Sequence, residues 1–166
     1  MAFMLSSPDI AVNSAISAPF VYQGCGGGNA SPELRWSGAP EGTQAYAITV
    51  YDPDAPTGSG WWHWMVYNIP AGTTQLPRGA GSSAAAPMPA GAVQSLNDYS
   101  QLGYGGPCPP PGPAHHYIFT VYALKVARLE LNANASNALI GFNLNANMLA
   151  KASFTATYSV GAKSPK

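Results

Sequence analysis

Residues 45–70 read AYAITVYDPDAPTGSGWWHWMVYNIP, and this stretch decides the fold class. Residues 45–51 are rich in β-branched and aromatic side chains, which is typical of a strand, and the turn-forming DPDAP follows them directly. A second apolar run covers residues 61–69 and ends at Pro70. Both runs are short and apolar enough to form buried strands.

The rest of the chain continues this pattern. Further strands are predicted over residues 116–124 (HYIFTVYAL) and 153–158. The chain holds 18 glycines and 16 prolines among 166 residues, which disfavours long helices. One helix is predicted over residues 136–151, with Ser136 or Asn134 as its N-cap. The sequence therefore predicts a mainly β protein.

Length and composition indicate one domain over residues 1–166, because 46% of the residues are hydrophobic and a chain of this size supports one compact core. Only 8% of the residues are charged and the net charge is zero. Nucleic acid is thereby excluded as a partner, since each neutralised phosphate needs its own Lys or Arg. Residues 77–94 are built largely from small residues and predict a flexible surface loop, and the tail over 161–166 is expected to fray.

The compartment is expected to be the cytoplasm. The apolar stretches, such as residues 45–51, are too short to cross a membrane, which takes about 20 residues. The N-terminal MAFMLSSPDIAV lacks the basic and apolar regions of a secretory signal. In the cytosol Cys25 and Cys108 would stay reduced, with a single bridge between them as the alternative.

Ionisable residues are few enough that their positions carry information. Asp52 and Asp54 lie in the proline-stiffened DPDAP turn, either as functional carboxylates or simply as turn formers. Strand alternation places His63 on one face with Met65, opposite Trp64. A histidine in such an aromatic run is a ligand-binding residue or a hydrogen-bonded structural residue.

The segment GYGGPCPPPGPAHHY over residues 103–117 is the most specific in the chain. Its prolines prevent regular hydrogen bonding, and its glycines allow close approach of a ligand to backbone N–H groups. A polyproline linker is the alternative, but this segment runs straight into an apolar strand. His115 and His116 open that strand and point to opposite faces, so only one can share a site with His63, and we assign His115.

Four segments together resemble a known family. They are NASPELRWSGAP (29–40), YDPDAP (51–56), WWHWMVYNIP (61–70) and GYGGPCPPPGPAHHY (103–117). In this order they are similar to the phosphatidylethanolamine-binding protein family, and more closely to its bacterial Raf-kinase-inhibitor-like branch. The similarity covers residues 20–158.

The resemblance implies a central antiparallel sheet packed on a smaller second sheet, with a C-terminal helix near a small anion pocket. Members of the family hold phosphate or phosphoryl-ethanolamine there. Carried over by motif, the ligand-binding residues are Asp52, Asp54, His63, Gly106, Pro107, His115 and Tyr117. This chain departs from the family in having His116 where arginine is usual, so anion affinity is expected to rise as the pH falls below about 6.5.

A pocket with two carboxylates binds an anion only if their charge is offset. The expected arrangement is a hydrogen bond from His63 or His115 to Asp52 or Asp54, with the imidazolium facing the ligand. Backbone N–H groups near Gly106 and the Tyr117 hydroxyl would supply the remaining donors.

The sequence thus predicts non-catalytic binding of a small phosphate-like anion, with a regulatory role and with neither cofactor nor metal. The first alternative is a protein-interaction module that inhibits a kinase or a peptidase. The second is a metal-dependent enzyme, because imidazole and carboxylate are common ligands of zinc and iron. A homodimer is left open.

Overall fold

A computed structural model of the chain describes residues 2–82 and 88–161. The elements are β1 Met4–Ser6, β2 Leu34–Ser37, β3 Ala45–Asp52, β4 Trp61–Pro70, β5 Gln75–Leu76, β6 Val93–Gln94, β7 His115–Leu124, α1 Asn137–Asn147 and β8 Met148–Tyr158. The strands of the larger sheet run in the spatial order β6-β4-β3-β7-β8, and those of the smaller sheet in the order β1-β2-β5. Every strand pair in both sheets is antiparallel.

The main core lies between the two sheets. Leu34 and Trp36 alternate along β2 and point towards the larger sheet, where Ile48, Val50 and Phe119 meet them. All five are nearly or fully buried, and burying a side chain of this size contributes about 1.5–3 kcal/mol. The period-two alternation of these strands is therefore what joins the sheets, and the mainly β prediction is confirmed.

The opposite face of the larger sheet is covered by α1. Ile140 and Leu144 of the helix are buried against Met65, Tyr67 and Leu124. Helix and small sheet thus lie on opposite sides of the larger sheet.

Helix α1 is shorter than the sequence predicts. It begins after Ser136, whose hydroxyl accepts a hydrogen bond from the Leu139 backbone N–H at 3.1 Å, as an N-cap should. It ends at Asn147, because Met148 already pairs with Leu124 in the sheet. Backbone pairing with β7 therefore outweighs helical periodicity over residues 148–151.

The predicted surface loop over residues 77–94 falls partly outside the described residues, which stop at 82 and resume at 88. Its described ends are hydrogen bonded. Gly79 N–H donates to the Ser31 carbonyl at 2.8 Å, and Val93–Gln94 forms strand β6 against β4. Of the tail expected to fray, residues 162–166 also lie outside the described part of the chain.

Cys25 and Cys108 form a disulfide, with their Cα atoms 5.6 Å apart. The expectation that both thiols stay reduced is therefore wrong. It rested on a cytoplasmic location, and a structural disulfide is typical of oxidising compartments. Over residues 2–82 and 88–161, no helix is long and apolar enough to span a bilayer.

The disulfide closes a long loop, since the two cysteines are 83 residues apart in sequence. We expect the double substitution Cys25→Ser/Cys108→Ser to lower the free energy of unfolding by about 2–4 kcal/mol, because the unfolded chain gains conformational freedom. Urea unfolding of the oxidised protein and of the variant measures this. A reductant should destabilise the wild type and leave the variant unchanged, and coincident unfolding curves for the two oxidised proteins would contradict the expectation.

Candidate functional site

A cavity of about 240 Å³ opens at the edge of the larger sheet where β3 ends and β7 begins. Polar side chains form one part of its wall, and aromatic and proline side chains form the rest. The lining residues are Asp52, Ala55, Pro56, Thr57, Trp61, His63, Tyr99, Cys108, Pro109, Pro110 and His115. None belongs to α1, so the helix forms no part of the pocket wall.

Strand alternation brings Asp52 and His115 together. Asp52 continues the inward-facing row of β3 after Val50, and His115 begins the inward-facing row of β7 that includes Phe119. The His115 Nδ1 atom lies 2.7 Å from Asp52 Oδ2, and both side chains are largely buried. The other Asp52 oxygen accepts the Asp54 backbone N–H at 2.8 Å. Each oxygen of the Asp52 carboxylate thus has a hydrogen-bond partner.

His116 points to the other face, as the alternation predicts. Its Nδ1 atom lies 2.7 Å from Asp54 Oδ2, and its backbone N–H donates to the same oxygen at 2.8 Å. Both side chains are exposed, and the hydrogen bond from the His116 side chain lowers the pKa of the Asp54 carboxyl. Asp54, which the sequence places in the site, forms no part of the pocket wall.

A β-bulge places His63. In the β3–β4 ladder Trp64 pairs with Val50 and Trp62 pairs with Tyr51, so His63 is an extra residue without a partner. A bulge adds one residue to a strand, so the side chain at the bulge lies on the face opposite to the one that simple alternation predicts. The His63 ring therefore contacts Tyr117 on the core side, at 5.2 Å between ring centroids. The predicted grouping of His63 with Met65, opposite Trp64, is wrong for this reason.

The protonation of His63 follows from its contacts. Its Nδ1 atom lies 2.7 Å from the Gly105 carbonyl oxygen, which can only accept, so Nδ1 carries the hydrogen. Burial lowers the pKa of His63 from its ordinary 6.5 to about 4. At neutral pH the ring is uncharged, and its Nε2 atom is a hydrogen-bond acceptor. His63 therefore does not present the imidazolium that the sequence suggested as one option.

The glycines of the proline-rich segment do not supply donors to the pocket. Gly105 N–H donates to the His63 carbonyl at 2.9 Å, and Gly106 N–H donates to Asn29 Oδ1 at 2.8 Å. Pro107 accepts the Tyr22 N–H through its carbonyl at 3.0 Å. Gly106 and Pro107 thus support the pocket from behind, and a Cβ at Gly106 would lie 2.2 Å from the Phe20 carbonyl oxygen.

Tyr117 lies beneath His63 rather than on the pocket wall. Its side chain is buried, and its hydroxyl has no hydrogen-bond partner among the described residues. Burial raises the pKa of this hydroxyl far above its ordinary value, so it stays protonated.

Tyr99 and Trp61 line the pocket but were not predicted to do so. The Tyr99 ring stacks on Tyr22 at 3.8 Å between centroids, and its hydroxyl donates to the Gly106 carbonyl at 2.7 Å. Trp61 meets Tyr99 edge to face at 5.2 Å. Tyr99 lies in a loop outside every motif, so no sequence pattern marked it. Trp61 lies in the WWHW motif, which marked it only as a strand residue.

Across the described ranges, no group of three or more His, Cys, Asp or Glu residues is arranged to hold an ion.

Comparison with known proteins agrees with this architecture. The family model described as phosphatidylethanolamine-binding protein matches residues 6–159. Among curated proteins, the UPF0098 protein YbcL of Escherichia coli is 51% identical over 162 residues, covering 96% of this chain and 88% of its own length. YbhB of the same organism is 47% identical over 157 residues, covering 93% and 99%.

Solved structures give the same result. The crystal structure of E. coli YbcL, described as a new member of the mammalian PEBP family, matches with a TM-score of 0.93 at 50% identity and covers 96% of this chain and 99% of that one. A homologue from Chlamydia trachomatis, CT736, matches with a TM-score of 0.81 at 29% identity, covering 96% and 98%.

The neutral state of His63 predicts a pH-dependent stability. Because its folded pKa of about 4 lies below the ordinary 6.5, the unfolded chain binds the extra proton first, and stability falls as the pH drops between these values. Between pH 7 and pH 4.5 the loss should be about 2–3 kcal/mol. Urea unfolding at both pH values measures it.

His63→Gln provides the control, because its amide can donate to the Gly105 carbonyl but does not titrate. This variant should lose about 2–3 kcal/mol less than the wild type over the same interval. The pKa values of Asp9 and Asp54 are also lowered, but the stability that these carboxylates contribute is lost only below about pH 4. They therefore do not affect the comparison between pH 7 and pH 4.5. Equal losses in the two proteins would contradict a neutral buried His63.

Proposed function

The chain belongs to the phosphatidylethanolamine-binding protein family, and we propose that its pocket binds a small phosphate-like anion without catalysing a reaction. The ligand is phosphate or a phosphoryl head group such as phosphoryl-ethanolamine. The observation that carries the proposal is the buried pair of Asp52 and His115 in the pocket wall.

This pair makes His115 a directed donor. Asp52 fixes the hydrogen on Nδ1, which leaves Nε2 for a ligand in the pocket. When the His115 ring is protonated, its Nε2–H donates to an anion in the pocket. A charge-assisted hydrogen bond of this kind is about twice as strong as a neutral one.

Binding, rather than catalysis, is favoured by the way the other reactive side chains are engaged. Cys108 is in a disulfide, and the Thr57 hydroxyl donates to the Gly60 carbonyl. Both Asp52 oxygens already accept hydrogen bonds. These contacts hold Cys108, Thr57 and Asp52 in structural roles within the pocket wall.

The shortage of backbone donors makes affinity depend on protonation. Because the Gly105 and Gly106 N–H groups are used within the protein, the anion relies on His115 for its strongest contact. Affinity should therefore be modest, on the order of micromolar to millimolar, and should increase as the pH falls.

The test is calorimetric titration with inorganic phosphate and with phosphoryl-ethanolamine at pH 6 and pH 7.5. The wild type should bind more tightly at pH 6. His115→Ala should weaken binding at pH 6 by about tenfold or more, because a hydrogen bond to a charged group is lost. His116→Ala is the matched control, since the neighbouring histidine faces Asp54 outside the pocket.

Phosphate itself gains a proton over this pH range, so sulfate serves as a probe whose charge is constant. Sulfate affinity that rises at pH 6 in the wild type and not in His115→Ala assigns the change to the protein. Equal effects of His115→Ala and His116→Ala, or no binding of any of these anions, would overturn the proposed site.

A further inference from the structure

We infer that the pocket selects phosphomonoesters that still carry a P–O–H group over phosphodiesters, because His63 offers the ligand a hydrogen-bond acceptor. The inference rests on the proposed anion binding and specifies its ligand class. A monoester in its monoanionic form has both charged oxygens and a hydroxyl. A diester has charged oxygens alone.

The contacts of the His63 ring determine which of its nitrogens can accept a hydrogen bond. The Gly105 carbonyl holds the hydrogen on Nδ1, so the lone pair of the neutral ring is on Nε2. His63 lines the cavity although its side chain is almost fully buried. Any polar atom that a ligand places against Nε2 must therefore bring its own hydrogen.

The groups around His63 do not supply that hydrogen, and the indole N–H of Trp61 in the same wall makes no hydrogen bond within the described ranges. Asp52 on β3 is acceptor-only and is engaged with His115, and the Tyr99 hydroxyl is directed to the Gly106 carbonyl. The Tyr117 hydroxyl on β7 makes no hydrogen bond, to His63 or otherwise, within the described ranges. Asp98 adds only a second nearby negative charge. Burial keeps His63 neutral in spite of these carboxylates.

His63 and His115 have different hydrogen-bonding roles in the cavity. Each has its Nδ1 atom held, His115 by a carboxylate and His63 by a carbonyl, and each lines the same cavity. Protonated His115 offers a donor, whereas neutral His63 offers an acceptor. In a monoester monoanion, a P–O⁻ oxygen can accept from His115 while the P–O–H group donates to His63. A diester has no P–O–H group, so its second oxygen would face the His63 lone pair as another acceptor.

The remaining wall suits an ester group. Trp61, Tyr99, Pro109 and Pro110 present apolar surface beside the polar residues, so an organic substituent on the phosphate has a surface to pack against.

The experiment compares two isomers by calorimetric titration at pH 5. Ethyl phosphate and dimethyl phosphate have the same atoms, and at this pH both carry about one negative charge, because the second pKa of a phosphomonoester is about 6. Only ethyl phosphate has a P–O–H group. We expect ethyl phosphate to bind at least about tenfold more tightly, since an unsatisfied buried acceptor strongly disfavours the diester.

The role of His63 is tested with His63→Phe, which keeps an aromatic ring but has no lone pair. In this variant the two isomers should bind with about equal affinity, whereas His116→Ala should keep the wild-type preference for ethyl phosphate. A preference that survives in His63→Phe would overturn the assignment to His63. The comparison of the isomers on the wild type decides the selectivity even if the variant does not fold.

The outcomes separate this inference from the proposed function. Equal binding of the isomers, or tighter binding of dimethyl phosphate, would overturn the selectivity and leave anion binding in place. Binding of inorganic phosphate without either isomer would do the same. If inorganic phosphate, sulfate and both isomers all fail to bind, the selectivity and the anion pocket are both overturned.

Discussion

The buried contact between Asp52 and His115 is the interaction on which the pocket depends. A carboxylate as buried as that of Asp52 is strongly unfavourable without a partner, and here the partner comes from a different strand. The pairing of β3 with β7 sets this contact, with Tyr51 opposite Ile118. A shift of β7 by one residue would bring His116 to the inward face in place of His115, and every inward apolar residue of the strand would turn outward with it. Core packing and the polar site therefore require the same register.

The proline-rich segment determines the chemistry of the opposite wall. Prolines have no N–H, and the glycine N–H groups before them are bonded to the His63 carbonyl and to Asn29. The segment therefore contributes mainly carbonyl oxygens, and the Gly105 carbonyl accepts the hydrogen bond that orients the His63 ring. It offers the pocket few free backbone N–H groups, and under the proposed function the anion depends on His115 for its strongest contact.

The sequence was sufficient where period and local composition determine structure. Strands β3, β4 and β7 were predicted to within one residue at each end, and alternation correctly separated His115 from His116. Strand β8 begins at Met148, five residues before the predicted start at 153, where helical periodicity was misleading. Prediction failed for His63, because a bulge adds one residue to one strand without any mark in the hydrophobic pattern. It also failed for the donors near Gly106, whose N–H group is taken by Asn29, 77 residues away in sequence. The side chains that reach the cavity from a motif-free loop, such as Tyr99, are fixed by tertiary packing alone.

The disulfide belongs to the same construction as the pocket. From residue 107 to residue 111 the backbone has a single N–H, that of Cys108, so the segment can take little part in sheet hydrogen bonding beyond one isolated bridge between Pro111 and Val160. Downstream, Gly112 N–H donates to the Val160 carbonyl, and upstream Pro107 accepts from Tyr22. Between these two hydrogen bonds, the disulfide to Cys25 fixes the position of Cys108, which lies beside Pro109 in the pocket wall. Such a link persists only where thiols are oxidised, so the pocket wall at Cys108 is held covalently only while the disulfide is intact.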